Sequence, residues 1–157
     1  MHGTAPASLD VIDDHVHARR WFTLGTLCLS LLIIVMDNTI LNVAIPSLVT
    51  ELGATNSQLQ WIVDGYTLVF AGLLLTTGSL GDRFGRKLAL RIGIVIFAIG
   101  SVMSALSGSP TQLILSRSLM GVGGALIMPS TLSILTNVFR DPKERGRPIA
   151  IWAGFSG

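Results

Sequence analysis

The chain has 157 residues, half of them hydrophobic, and only 13% are Asp, Glu, Lys or Arg. Soluble domains carry about 25% charge, and the mean hydropathy here is +0.65, so the balance favours an integral membrane protein over a water-soluble core. The net charge of +2 and the single cysteine exclude little, because one cysteine makes no intrachain disulfide.

Residues 1–20 are polar and mixed, with Asp10, Asp13, Asp14, His15, His17, Arg19 and Arg20. They are expected to form a cytoplasmic polar tail, disordered or lying on a surface. They lack the short apolar core and small-residue cleavage site of a secretory signal. His15 and His17 have no further ligands nearby in the sequence, so they read as solvated side chains, and no metal site is expected.

Four apolar stretches follow, at about residues 21–46, 59–80, 88–106 and 112–139. Roughly 20 apolar residues cross the hydrocarbon of a bilayer, so each is long enough to span it. Trp21 stands where an interfacial anchor belongs. The first span turns polar at Asp37, Asn38, Thr39 and Asn42, and residues 47–58 are expected to be a short loop. An uncharged turn, Ser107 to Thr111, separates the third span from the fourth. The fourth contains Arg117, a glycine cluster and Pro129, a residue that membrane helices tolerate, usually with a kink. Asp141, Pro142 and Glu144 then form a helix-start pattern. A fifth span begins near Pro148 and is incomplete at Gly157. The expected architecture is an all-α membrane bundle of four complete spans and the start of a fifth, the N-terminal part of a longer protein.

Eleven Lys and Arg residues set the orientation. Two lie in the tail, four at the junction of the second and third spans (Arg83, Arg86, Lys87 and, in the first turn of the third span, Arg91), and four between Arg140 and Arg147; only Arg117 is farther inside a span. The two remaining loops have none. The positive-inside rule therefore places the N-terminus and the junction of spans two and three in the cytoplasm. The same asymmetry makes a water-soluble helical bundle a poor reading and accounts for the bases without nucleic acid.

That junction reads Gly78-Ser79-Leu80-Gly81-Asp82-Arg83-Phe84-Gly85-Arg86-Lys87. Glycine allows turns that other residues resist, so a tight charged hairpin is expected here. On the residues alone, the bases either set topology only or take part in a conformational change.

Three ionisable residues fall within spans beyond the first turn: Asp37, Asp64 and Arg117. Each costs about 2.5–3.5 kcal/mol at a helix centre, so each should pair, face water or do work. A rise of about 1.5 Å per residue puts Asp37 roughly 24 Å from the cytoplasmic start of its span, and Asp64 and Arg117 each roughly 8 Å from the outer end of theirs. All three share the outer half, and a common water-reachable polar site is plausible. Arg117 is followed at i+4 and i+7 by Gly121 and Gly124, a small face that lets another helix approach. Arg117 either ties helices together or tunes the proton affinity of a neighbouring acid. Asp37 is the leading candidate to bind a proton or substrate; Asp64 is either a second such acid or an interfacial residue.

The hairpin, G-x-L-x-D-R-x-G-R-K, resembles the cytoplasmic signature between helices two and three of the major facilitator superfamily of transporters. Met36 to Pro46 resembles the helix-one signature of its fourteen-helix drug–proton antiporter branch, with Met36 in place of the usual leucine. Trp61 to Tyr66 resembles that branch's helix-two opening, and Leu115 to Ala125 its helix-four R-x-x-x-G-x-G signature. The resemblance covers about residues 21–157. It implies two six-helix bundles rocking about a central site in the cell membrane. It also implies that Asp82 and Arg86 join a charge network closing the cytoplasmic side, and that Arg117 and the helix-one acid are associated with proton coupling. The proton would be the coupling ion, with no other cofactor, and lipophilic or cationic small molecules the exported cargo. The antiporter signature of helix five, G-P-x-x-G-G, lies beyond the small-residue run at Ala150, Ala153, Gly154 and Gly157. These residues alone are not expected to complete a transport cycle without the C-terminal helices. A permease for a specific metabolite and a truncated membrane protein with a scaffold role are the alternatives. An enzyme is disfavoured, because no phosphate loop, metal-ligand cluster or nucleophile–histidine arrangement is evident.

Overall fold

The structure, a computed structural model, describes the backbone of residues 8–139 and 146–156, and the side chains of residues 20–139 and 146–155. Five helices follow in order: α1 Ser8–Leu52, α2 Asn56–Phe84, α3 Arg86–Ala105, α4 Pro110–Val138 and α5 Gly146–Ser156. No strand occurs among the described residues. Four helices are long and apolar enough to cross a membrane. The Asp141 helix-start pattern lies outside the described residues, as do the His15 and His17 side chains.

Helix α4 is the most buried element, and glycines make it so. On one face, a Cβ added to Gly121 would lie 2.7 Å from the carbonyl of Tyr66 in α2, and one on Gly124 would lie 3.0 Å from the Tyr66 hydroxyl. On the other, a Cβ on Gly123 would lie 2.7 Å from both the Gly93 carbonyl and the Phe97 nitrogen of α3. Gly100 of α3 meets Met120 in the same way. The backbones of α2 and α3 therefore close on α4 from opposite sides, as small residues permit in membrane bundles. Ser104 and Ser116 bridge α3 and α4 at 2.8 Å.

Helix α1 is held by side chains rather than by close backbone contact. Leu24, Leu27 and Cys28 join a buried cluster with Ile134, Leu135 and Phe139 of the end of α4, and Ile149 and Trp152 of α5 pack against it. Trp21 meets Phe139 edge-on, ring centroids 6.1 Å apart. Outward-facing Phe22, Leu75, Val95, Ile99 and Leu115 give the bundle an apolar exterior, the surface a lipid environment requires.

The helix ends differ from the sequence-based boundaries. Helix α1 starts at Ser8, inside the expected tail, because no Gly or Pro interrupts residues 8–24. It also continues through Pro46 to Leu52, so the expected loop over 47–58 shrinks to Gly53, Ala54 and Thr55. Gly53 stops α1 at a φ of 61°, and the Ala54 N–H donates to the Leu48 carbonyl, a glycine-terminated helix end. Thr55 and Gln58 then cap α2 reciprocally. Ser109 caps α4, with Pro110 at its start.

The expected ten-residue hairpin contracts most. Helix α2 runs through Gly78, Gly81 and Asp82 to Phe84, and α3 starts at Arg86. Only Gly85, at a φ of 99°, is outside a helix. Gly78 makes no turn, and nothing lies within 4 Å of a Cβ added there. Gly81 has a different use: a Cβ on it would lie 3.3 Å from Arg86 Cδ, so its small size lets Arg86 fold back over α2.

Candidate functional site

Arg117 sits about two turns into α4 and is 2% exposed. A guanidinium stays charged and has five N–H donors in a rigid fork, so burial there demands partners on several sides. Nη1 is ion-paired with Asp37 Oδ2 of α1, and Nη2 donates to Asn38 Oδ1 at 3.4 Å. Nε donates to the Ile62 carbonyl of α2 at 3.5 Å. The guanidinium carbon stands 4.9 Å from the centroid of the Tyr66 ring, a cation–π contact. One side chain of α4 therefore binds α1 twice and α2 twice.

Tyr66 is seated for this contact by the glycine face. Its main chain lies against Gly121, its hydroxyl against Gly124, and its ring stacks on Phe70 with centroids 5.8 Å apart. The i, i+4, i+7 stripe of Arg117, Gly121 and Gly124 is thus a seat for a single tyrosine. Asp37 keeps 21% of its side chain exposed, against 2% for its partner. Both residues line a cavity of about 340 Å³ between α1 and the α3–α4 pair, whose walls include Leu41, Ser101 and Leu113. A partly exposed carboxylate beside a buried cation is chemically able to exchange a proton and, in doing so, to loosen or restore the tie between α1 and α4.

The three intramembrane charges do not form one cluster. Asp37 and Arg117 meet. Asp64 is half-buried and, among the described residues, has no hydrogen-bond or ion-pair partner, and it does not line the cavity. Asn38 and Tyr66, absent from the sequence-based site, belong to it. Their signals were present: Asn38 follows the acid directly, and Tyr66, the chain's one tyrosine, lies one turn after Ile62 on the same face of α2.

At the hairpin, Arg86 is ion-paired with Asp82 at i,i+4 across the α2–α3 junction. Its Nη1 also donates to the Pro129 carbonyl of α4 at 3.3 Å. Arg83 and Lys87 are exposed, and Arg83 lies 5.9 Å from the neighbouring Phe84 ring. Among the described residues, no group of three His, Cys, Asp or Glu could hold a metal ion.

Known proteins are similar to this chain in sequence. The chain is 45% identical over 135 residues to the multidrug efflux pump LfrA of Mycolicibacterium smegmatis, covering 86% of this chain and 27% of the pump. It is 36% identical over 139 residues to the puromycin resistance protein pur8 of Streptomyces alboniger, covering 88% of this chain and 28% of that protein. It is 39% identical over 135 residues to the methyl viologen resistance protein SmvA of Salmonella typhimurium, covering 86% and 27%. The chain thus spans about a quarter of the length of these relatives. Residues 27–157, which hold the Asp37–Arg117 pair, its tyrosine seat and the one-glycine hairpin, match the Major Facilitator Superfamily. With four helices fit to span a bilayer, this chain is a multi-pass membrane protein and belongs to that superfamily.

Proposed function

We propose that these residues are the opening part of a proton-coupled exporter of lipophilic or cationic small molecules, working by alternating access in the plasma membrane. The observation that carries the reading is the buried Arg117 guanidinium paired with a partly exposed Asp37 in the wall of a cavity. The names of the relatives, a multidrug efflux pump and two drug resistance proteins, agree with export as the direction.

The mechanism follows from the pair. A proton bound at an Asp37 carboxyl oxygen cancels its charge and breaks the ion pair. Arg117 keeps the Ile62 carbonyl and the Tyr66 face of α2, while α1 is left with only the long Asn38 hydrogen bond, so the tie between α1 and α4 is loosened. Loss of that proton to the opposite side restores the pair. A helix contact that depends on protonation supplies a two-state element that a proton gradient can bias. The Asp82–Arg86 pair acts at the other end as a latch on the α2–α3 junction. Partners are the bilayer, the small-molecule cargo and the further helices that complete the two bundles. The base-rich ends, including the hairpin, face the cytoplasm.

Everted membrane vesicles containing the full-length protein test this reading. With an acid lumen imposed, adding several unrelated lipophilic cations should each release protons from the lumen. Proton movement with one metabolite alone would support a specific permease instead, and no movement with any would remove proton coupling. Orientation is read separately. An impermeant thiol reagent on intact cells should label Asn56→Cys and spare Lys87→Cys, the native Cys28 being buried; the reverse pattern would invert the topology.

A further inference from the structure

Helix α4 continues through Pro129. Proline has no N–H, so the carbonyl four residues earlier loses its helical donor. In α4 that carbonyl belongs to Ala125, which is 0% exposed. A buried carbonyl without a donor is costly, and water does not reach this one. Rescue does not come from the next turn of α4 either. Ser130 buries a hydroxyl that has no hydrogen-bond partner among the described residues.

The donor comes from α2. Thr77 Oγ1 lies 2.7 Å from the Ala125 carbonyl oxygen, its shortest polar contact. The same hydroxyl lies 2.9 Å from the Leu73 carbonyl and 3.1 Å from the Leu74 carbonyl. It has one hydrogen to give. The two α2 carbonyls already have helical N–H partners by α-helix geometry, whereas the Ala125 carbonyl has lost its own. The carbonyl of Pro129 is itself held by Arg86 Nη1 at 3.3 Å, and Arg86 is paired with Asp82. Both ends of the interrupted turn are thus bonded from the hairpin end of α2 and α3.

We propose that Thr77 stands in for the N–H that Pro129 lacks, and that Thr77 and Arg86 together clamp α4 at a proline joint, tying its course to the hairpin. Thr77 is a positioning residue: it is not in the wall of the Asp37–Arg117 cavity and acts through α4. Its hydroxyl has a ready alternative in Leu73, so the clamp can open by one rotation about the Thr77 side chain, without stranding the donor. The inference needs no assumption about what is transported.

Spin labels on Leu115→Cys and Asn137→Cys, both exposed and on either side of Pro129, report the course of α4 in the full-length protein by the distance between them. Thr77→Val, which keeps the shape and removes the hydroxyl, should shift or broaden that distance. It should also move the unfolding equilibrium in denaturing detergent by about tenfold. Thr77→Ser should restore both. Pro129→Ala supplies an N–H to Ala125, so in that background Thr77→Val should change neither reading. An equal effect of Thr77→Val in both backgrounds would make Thr77 a packing residue and overturn the proposal. A serine variant that behaves like valine would overturn it as well, even if Pro129→Ala failed to insert. Arg86→Leu should shift the same distance by less; an unchanged distance would remove the hairpin from the joint.

Discussion

The described residues contain two arginine–aspartate pairs, and they differ in almost everything except chemistry. Arg86 and Asp82 are four residues apart, with side chains 23% and 67% exposed. Arg117 and Asp37 come from different helices, 2% and 21% exposed. Water solvates the first pair whether or not it is made, so it is worth a few tenths of a kcal/mol to about 1. The second has replaced water with protein on nearly every side of the arginine. Breaking it strands a charge. The exposed pair can therefore open and close at low cost, as a latch must. The buried pair is suited to a change that also removes the charge, as protonation does.

The sharpest test of that contrast removes one acid at a time. Asp37→Ala should destabilise the protein by about 3–5 kcal/mol in a detergent unfolding titration, because Arg117 remains buried without its counter-charge. Asp82→Ala should cost less than about 1 kcal/mol by the same titration. Equal losses would erase the distinction between the two ends. The interior of α4 gives the next largest effect. Gly123→Val drives a side chain into the α3 backbone and should cost about 1–3 kcal/mol. Gly78→Ala meets open space within α2 and should instead stabilise by about 0.5–1 kcal/mol. A matching loss at Gly78 would mean that it, too, is a packing glycine. Gly85→Ala is expected to cost about 1–3 kcal/mol, because its φ of 99° lies in a region that L side chains rarely adopt. A neutral result would show that the junction tolerates another course.

Charged residues in apolar surroundings were the most legible part of the sequence. Asp37 and Arg117 stand out because each costs free energy where it lies, and their shared depth anticipated their meeting. Asp64 had the same signal and no partner among the described residues: depth along a helix axis says nothing about which face a residue occupies. Neutral polar groups such as Asn38 and Tyr66 carry a weaker signal, since many satisfy themselves within their own helix, as Thr39 does on Val35. Gly121 and Gly124 were found by following one stripe from Arg117. Gly123 with its partner Gly93, and Gly100 against Met120, were missed because they lie on the opposite face, which has no charge to mark it. The hairpin was placed well and drawn too wide. Glycines 78 and 81 suit a turn, yet nothing in Ser79–Phe84 forces one, and helix persists until Gly85. Thr77 and Pro129 were readable separately; that one completes the other is a fact of three dimensions.

The measurement that bears most directly on the account is proton release on substrate binding, made with purified full-length protein and its Asp37→Asn variant. The amide keeps the shape and a hydrogen bond for Arg117 but cannot titrate. Wild-type protein should release protons when a lipophilic cation binds. The Asp37→Asn variant should insert normally, bind the cation and release none. Undiminished release from the variant would contradict the account, placing the coupling proton on another group and leaving the Asp37–Arg117 pair as a tie between helices.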